Sequence, residues 1–391
     1  MKTHKFTLIL AVACLGVAAR QTAWAQTWVR TSAPSNSWTA AAISADGLRL
    51  VAVASGAHPG PIYTSTNYGA TWISNSAALE VWNGVASSAD GAKLVAVCGQ
   101  VYTNSGTTWA EAFSPGSPGN QQSADTVASS ADGTKLVLGD NLLFTPLIYT
   151  STDAGASWLS STSSPNAGWV SVASSADGNR LIAARAAGAA GAIYTTANAG
   201  GLWVSNSVLP LPWSWVASSG NGSNLLAVAA PVLYASTNAG ASWYWVQTLA
   251  NSVTKIACAT NGNIWYAVST NSGLIYSSFN AGATWSTNTA AKTNWSAIAV
   301  SGNGLRAVAT SGSGGIYVLA PPPLKLNLAT NKVSLLWDTN YAAFGLALEQ
   351  NTNLTGANWT TVTNLPTITN TSYQVTLPST NRQLFFRLKA P

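Results

Sequence analysis

A unit of about 43 residues recurs seven times along this chain, and a period of that size points to stacked β-sheet units. Each copy reads approximately Trp-x-x-Val-Ala-Ser-Ser-Ala-Asp-Gly, an apolar strand, a variable loop, then Ile-Tyr-Thr-Ser-x-Asn-x-Gly-Ala-Thr-Trp. The first halves begin at Trp38, Trp82, Ala124, Trp169, Trp213, Val253 and Trp295, at spacings of 44, 42, 45, 44, 40 and 42 residues. Such small variation confines insertions and deletions to loops.

Each copy divides into four strands. Trp82–Ser88 is short and rich in small and β-branched residues, and Ala89-Asp90-Gly91 supplies a hairpin turn. Leu94–Val97 is a second apolar strand. In the first copy Ile62–Ser65 is the third, Thr66–Thr71 the next turn, and Trp72 opens the fourth. Four antiparallel strands per unit describe a propeller blade. Strands covered on both faces also explain unalternating runs such as Ala40-Ala41-Ala42-Ile43. The seventh copy stops at Gly315-Ile316-Tyr317-Val318 with no fourth strand, and Thr27-Trp28-Val29 is expected to supply it, closing the ring and removing its free edge. The expected fold is all-β: a seven-bladed β-propeller over 26–320 closed by an N-terminal strand, a proline linker at 321–323, and a small β-sandwich over 324–391. The sandwich strands fall near Val333–Trp337, Leu346–Gln350, Trp359–Thr363, Tyr373–Leu377 and Leu384–Leu388.

Residues 1–25 read as a secretory signal: Lys2 and Lys5, an apolar Phe6–Ala19, and Ala23-Trp24-Ala25 before Gln26. A lipoprotein site at Cys14 is the alternative, against which stands the missing leucine three residues earlier. No later run has the ~20 apolar residues of a membrane helix. The mature chain is expected to be exported, to the periplasm, cell surface or medium, without a membrane span and as a monomer. Three of the 17 basic residues and none of the 11 acidic ones lie in the leader, which leaves +3. That charge, with no basic cluster among aromatics, argues against nucleic acid. Cys98 and Cys258 sit in copies too far apart for a disulfide and read as small apolar fillers. With His58 the mature chain's only histidine and no paired cysteines, no metal or other cofactor is expected.

The second turn resembles the Asp-box, or BNR, repeat Ser-x-Asp-x-Gly-x-Thr-Trp. Copies stand at Ser65–Trp72, Ser151–Trp158, Thr196–Trp203, Ser236–Trp243 and Ser278–Trp285, with a shortened one ending at Thr108-Trp109. Only Asp153 keeps the acid; Asn67, Asn104, Asn198, Asn238 and Asn280 replace it. An asparagine oxygen also accepts backbone N–H groups, so the boxes are expected to hold turns. The resemblance extends to the sialidase-like superfamily and to photosystem II assembly factors, and the latter implies an exported, non-enzymatic propeller with a protein partner. Leu335-Leu336-Trp337, Leu348–Leu354 and Phe385–Leu388 make the tail similar to fibronectin-III-like or immunoglobulin-like modules.

The two kinds of conserved-looking turn share one face of the ring, and the variable loops Ser55–Pro61, Ala110–Ser123, Gly139–Leu147 and Arg185–Ala192 share the other. Binding is expected on the variable face. Candidates there are His58, Glu80, Glu111, Phe113, Gln121, Asp125, Asp140, Phe144, Arg185 and Lys292, each with solvated loop residue as the plain alternative. Trp38, Trp82, Trp169, Trp213 and Trp295 open first strands and are expected at the mouth, where they either stack on a ligand or wedge the blades. Trp215 and Trp245 break the repeat and are the better ligand candidates. A sialidase triad cannot be assembled: of five propeller arginines, Arg49, Arg180 and Arg306 share one position on the turn face with Lys93 and Lys135, leaving Arg30 and Arg185. That basic set either docks an acidic surface or is balanced by Asp46, Asp90, Asp132 and Asp177. The favoured function is a non-catalytic module binding glycan or protein, glycan slightly ahead because of the indoles. The alternative is a glycoside hydrolase using Glu80 and Glu111.

Overall fold

The computed structural model describes residues 26–389 apart from 56–58, 76–78, 106–107, 116–123, 142–146, 166–167, 186–190, 207–208, 250–252, 289, 291, 321–323, 330–331, 339–345, 354–357, 370–371 and 379–383. The leader, the proline linker and the candidates His58, Gln121 and Phe144 lie outside the described residues. All regular structure in the described residues is β-strand, in two compact units, one of them Thr27–Ala320.

Thr27–Ala320 is a β-propeller built from seven four-stranded antiparallel sheets. The first sheet runs Trp38–Ile43, Leu50–Ser55, Pro59–Ser65, Ile73–Ser74 from inside out. Its innermost strand is followed in the other sheets by Gly84–Ser87, Ala124–Ser129, Trp169–Ser174, Trp215–Ser218, Val253–Cys258 and Trp295–Val300. Each innermost strand packs on its neighbours, and Trp38–Ile43 packs on Trp295–Val300. In the last sheet Trp28–Arg30 pairs outside Ile316–Leu319, in the register Trp28↔Leu319 and Arg30↔Tyr317. The strand expected from the sequence therefore fills the vacant edge.

The second strands are the core. Leu50–Ser55, Leu225–Ala229, Trp265–Ser269 and Ala307–Ser311 are buried along almost their whole lengths, because each lies between two sheets and inside two further strands. Outer strands carry exposed side chains, as at Ile73, Leu159 and Val204.

The C-terminal unit holds a four-stranded sheet (Lys325–Ala329, Lys332–Asp338, Ser372–Pro378, Thr367–Thr369) and a three-stranded one (Thr360–Thr361, Ala347–Asn351, Phe385–Lys389). Leu335, Trp337 and Val375 from the first and Leu348 from the second form its core. The buried Glu349 carboxylate is neutralised by Arg387, with Nε 2.8 Å from Oε2, and by Lys389 at 3.2 Å.

Candidate functional site

The two ends of the propeller are built by different means. At one end each sheet's first turn donates a backbone N–H to the next sheet's turn: Ala45 to Ala89, Ala89 to Ala131, Ala131 to Ala176, Ala176 to Gly220, Gly220 to Thr260, Thr260 to Gly302, and Gly302 back to Ala45. These seven bonds, all 2.7–2.9 Å, form a closed cycle. Four of the seven turns are held internally by a serine and an acid. Ser88 Oγ donates to Asp90 Oδ1 at 2.6 Å and accepts Lys93 N, while Asp90 Oδ1 also accepts Ala92 N. The same pattern recurs at Ser130–Asp132 and Ser175–Asp177, and with asparagine at Ser219–Asn221 and Ser301–Asn303. The Ser130 hydroxyl, then the Thr134 N–H, hold the Asp132 carboxyl down to about 2.

The box turns stand at this same end. Their serine accepts the N–H of the box glycine, as Ser65 does from Gly69 at 2.9 Å, and their Asn or Asp accepts the N–H four residues on. The residue before the glycine (Tyr68, Ala154, Ala199, Ala239 or Ala281) takes a left-handed φ of 54–61°. Its N–H donates to the first turn of the same sheet, Ala154 to Thr134 and Ala281 to Asn263. Four of the five are alanine. Tyr68 stands at the closure seam, and its hydroxyl donates to Leu319 O at 2.7 Å in the last sheet.

Three of the five basic residues of this face are latches between sheets. Lys93 Nζ donates to Asp132 O at 2.9 Å, Lys135 Nζ to Asp177 O at 3.0 Å, and Arg180 to Asn221 O at 3.4 Å, each in the next sheet. Their stems lie against the next turn glycine so closely that a Cβ on Gly178 would stand 2.7 Å from Lys135 Cβ.

At the opposite end the loops differ from sheet to sheet. The candidates Glu80 and Glu111 are brought into one cluster. Tyr102 Oη lies 3.5 Å from Glu80 Oε1 and 3.4 Å from Gln100 Oε1, and Gln100 Nε2 donates to Glu111 Oε1 at 3.0 Å. Burial, with Cys98 and both carboxylates near, pushes the Tyr102 phenol up to about 12. The two glutamates line neither the channel cavity nor the two grooves at the turn end. Asp125 accepts Asn83 Nδ2 at 2.9 Å, Asp140 is buried, Arg185 is half-buried at the end of Leu181–Arg185, and Lys292 is exposed.

Of the two readings of the first-strand indoles, the packing matches wedging. Trp38, Trp82, Trp169, Trp213 and Trp295 are 0% exposed and offer a ligand no face. Each meets a third-strand tyrosine edge to face at 5.1–5.7 Å: Tyr63, Tyr102, Tyr194, Tyr234 and Tyr317. Burying an indole removes on the order of 200 Å² from water, worth about 5 kcal/mol, so wedging sheets is their use. Phe113 is likewise a packing residue, stacked on Trp158 with centroids 5.4 Å apart. Trp245 is 56% exposed but lies on the outermost strand Tyr244–Thr248, away from the mouth. Trp215 precedes the channel-lining Val216, and Lys255 Nζ stands 3.4 Å from its ring centroid. Sequence reasoning missed Lys255. Its signal was available, because the other copies place Ala, Gly, Ser, Thr or Trp where it stands.

A cavity of about 290 Å³ occupies the channel, walled by small and β-branched residues of the innermost strands such as Ala42, Val85, Ala128, Ala173 and Ala299. Among the described residues no group of three or more His, Cys, Asp or Glu could hold a metal ion. Cys98 and Cys258 are free and half-buried, and burial pushes the Cys98 thiol up to about 11.

No protein-family model and no curated protein matches this chain. Solved structures match it in fold. YCF48 from Cyanidioschyzon merolae is 14% identical with a TM-score of 0.57, over 75% of this chain and 98% of its own. A structure described as YCF48 bound to D1 peptide is 13% identical at TM-score 0.58, over 78% and 99%. The β-propeller domain of Cps50 (Swd1) from Myceliophteria thermophila is 10% identical at TM-score 0.58, over 74% and 98%. At these identities the likeness is one of fold, and the fold is the β-propeller.

Proposed function

We propose that this chain is an exported, seven-bladed Asp-box propeller with a fibronectin-III-like or immunoglobulin-like C-terminal sandwich, acting as a non-catalytic module that binds a protein segment at its variable-loop end. The observation that carries the choice of ligand is the burial of the five first-strand tryptophans. A sugar-binding mouth needs exposed aromatic faces, and the indoles that favoured a glycan are spent on packing. A peptide is recognised instead by varied polar and charged loops, which is what Glu80, Gln100, Glu111 and Arg185 supply. The neighbour described as bound to D1 peptide supports the same reading at the level of the fold.

Panning the mature chain against a peptide library and a glycan array in parallel tests this. Selected peptides should lose binding to Arg185→Glu or Glu111→Lys and keep it for Asp90→Asn at the turn end. Binding confined to glycans would overturn the protein reading. Retention that follows the C-terminal unit alone would move the function out of the ring. Mass spectrometry of the secreted product should find Gln26 at its N-terminus.

A further inference from the structure

Two adjacent sheets depart from the repeat at one place. At the third residue of the first strand the other copies carry Ala40, Gly84, Thr126, Ser171 and Ala297, whereas the fifth and sixth carry Trp215 and Lys255. Side chains here reach toward the next innermost strand: Thr126 Oγ1 accepts Val172 N at 3.2 Å, and Ser171 Oγ accepts Val216 N at 3.1 Å. Trp215 spans the same gap, its Nε1 donating to Ile256 O at 3.1 Å. Val216 and Ile256 line the channel cavity, and Trp215 and Lys255 stand one residue before them, outside that lining, with the indole packed on the core between the two sheets and the Lys255 amine on its face.

That ammonium is half-buried, and among the described residues no carboxylate forms an ion pair with it. The ion pairs among the described residues both belong to Glu349 of the C-terminal unit. The other charged residue on the innermost strands is Asp125, three sheets away around the ring and hydrogen-bonded to Asn83. Desolvation lowers the Lys255 ammonium to about 8, so it is still mainly charged at neutral pH. The Trp215 face offsets only part of the cost of burying it.

We propose that Lys255 and Trp215 form a subsite for one carboxylate beside the channel residues Val216 and Ile256, carried either by a small free monocarboxylic acid or by an acidic side chain of an inserted peptide. A single cation among small, uncharged wall residues matches one negative charge, whereas a phosphate dianion would need a second cation. The free-acid form goes beyond the protein-binding reading and stands without it; the peptide form rests on it.

Ligand-observed NMR on the purified chain separates the two, with propionate and a blocked Ala-Asp-Ala peptide as probes. Binding of either is expected to weaken about tenfold or more in Lys255→Met, the scale of one charge-assisted hydrogen bond, and to persist in Lys255→Arg. Propionate binding assigns the free acid, and binding of the peptide alone assigns the side chain. Equal binding by wild type and Lys255→Met, or none by wild type, overturns the proposal. Should Lys255→Met fail to fold, the Lys255 Cε resonance of lysine-labelled wild type must move on adding a probe, and an unmoved resonance overturns it. Loss of carboxylate binding while library-selected peptides still bind would leave the protein-binding reading intact.

Discussion

The turn end and the loop end of the ring are made from the same seven copies, yet only one of them repeats. At the turn end every copy offers an N–H and a C=O at the same height, because each must bond to the next and the last must meet the first. One copy out of register would leave two buried backbone groups unpaired, at a cost of about 1–3 kcal/mol each. The loops at the other end carry no such cyclic condition, so their lengths and residues drift. Uniformity therefore marks where the ring is held together, and variation marks where it is free to bind. The basic residues illustrate the point: Lys93, Lys135 and Arg180 look like a docking surface in the sequence, but each reaches a carbonyl of the neighbouring sheet.

The largest effect should come from the one repeated feature of the loop end. Trp169 is wholly buried against Tyr194, and Trp169→Ala should lower unfolding free energy by about 3–5 kcal/mol in urea denaturation. A loss under 1 kcal/mol would return these indoles to the list of ligand candidates. At the turn end, Gly178 has φ 68° and no room for a Cβ beside Lys135. Gly178→Val should cost about 2–3 kcal/mol, from a β-branched residue forced left-handed and a displaced latch. The closure seam is a smaller test. Tyr68→Phe removes the bond to Leu319 O and should cost about 1 kcal/mol, whereas Ala239, its counterpart within the ring, has no side-chain bond to lose.

The acidic turns add a pH test. Asp132 is held at about 2 in the folded chain against an ordinary carboxyl value of 3.8. Its contribution is therefore complete above about pH 4 and is lost as pH falls toward 2. Asp132→Asn, copying the Asn221 and Asn303 turns, should leave stability at pH 7 nearly unchanged and flatten its decline between pH 4 and pH 2, followed by thermal unfolding. An undiminished decline would mean that Asp132 is not among the carboxylates responsible.

The repeat made the sheets, the turns and the closing strand readable in advance, since all three follow from periodicity and from the missing second half of the last copy. The shortened second copy was readable only in part: Asn104 falls opposite Trp109 in the strand pairing, and the outer strand lengthens to Thr108–Phe113. Burial of the first-strand indoles was left open, because a tryptophan that opens a strand suits a mouth and a wedge equally until Tyr63, Tyr102 and their equivalents are seen against it. Lys255 was missed because a lone lysine looks solvated in sequence, and only the neighbouring departure at Trp215 gives it a partner.

Glu80 and Glu111 give the smallest effect and the sharpest check on the loop end. The cluster through Tyr102 and Gln100 joins them, but it is built like a surface network and opens into none of the three cavities. Gln can take Glu's place at both positions and keep an oxygen to accept from Gln100 and Tyr102. The double change Glu80→Gln with Glu111→Gln should therefore move stability by less than about 0.5 kcal/mol. A binding module should release no sugar from polysaccharide in either form, measured as reducing ends. Release by the wild type that vanishes in the double variant would instead make these two carboxylates an acid and its partner. The variable end would then be the site of chemistry, with the uniform end still its frame.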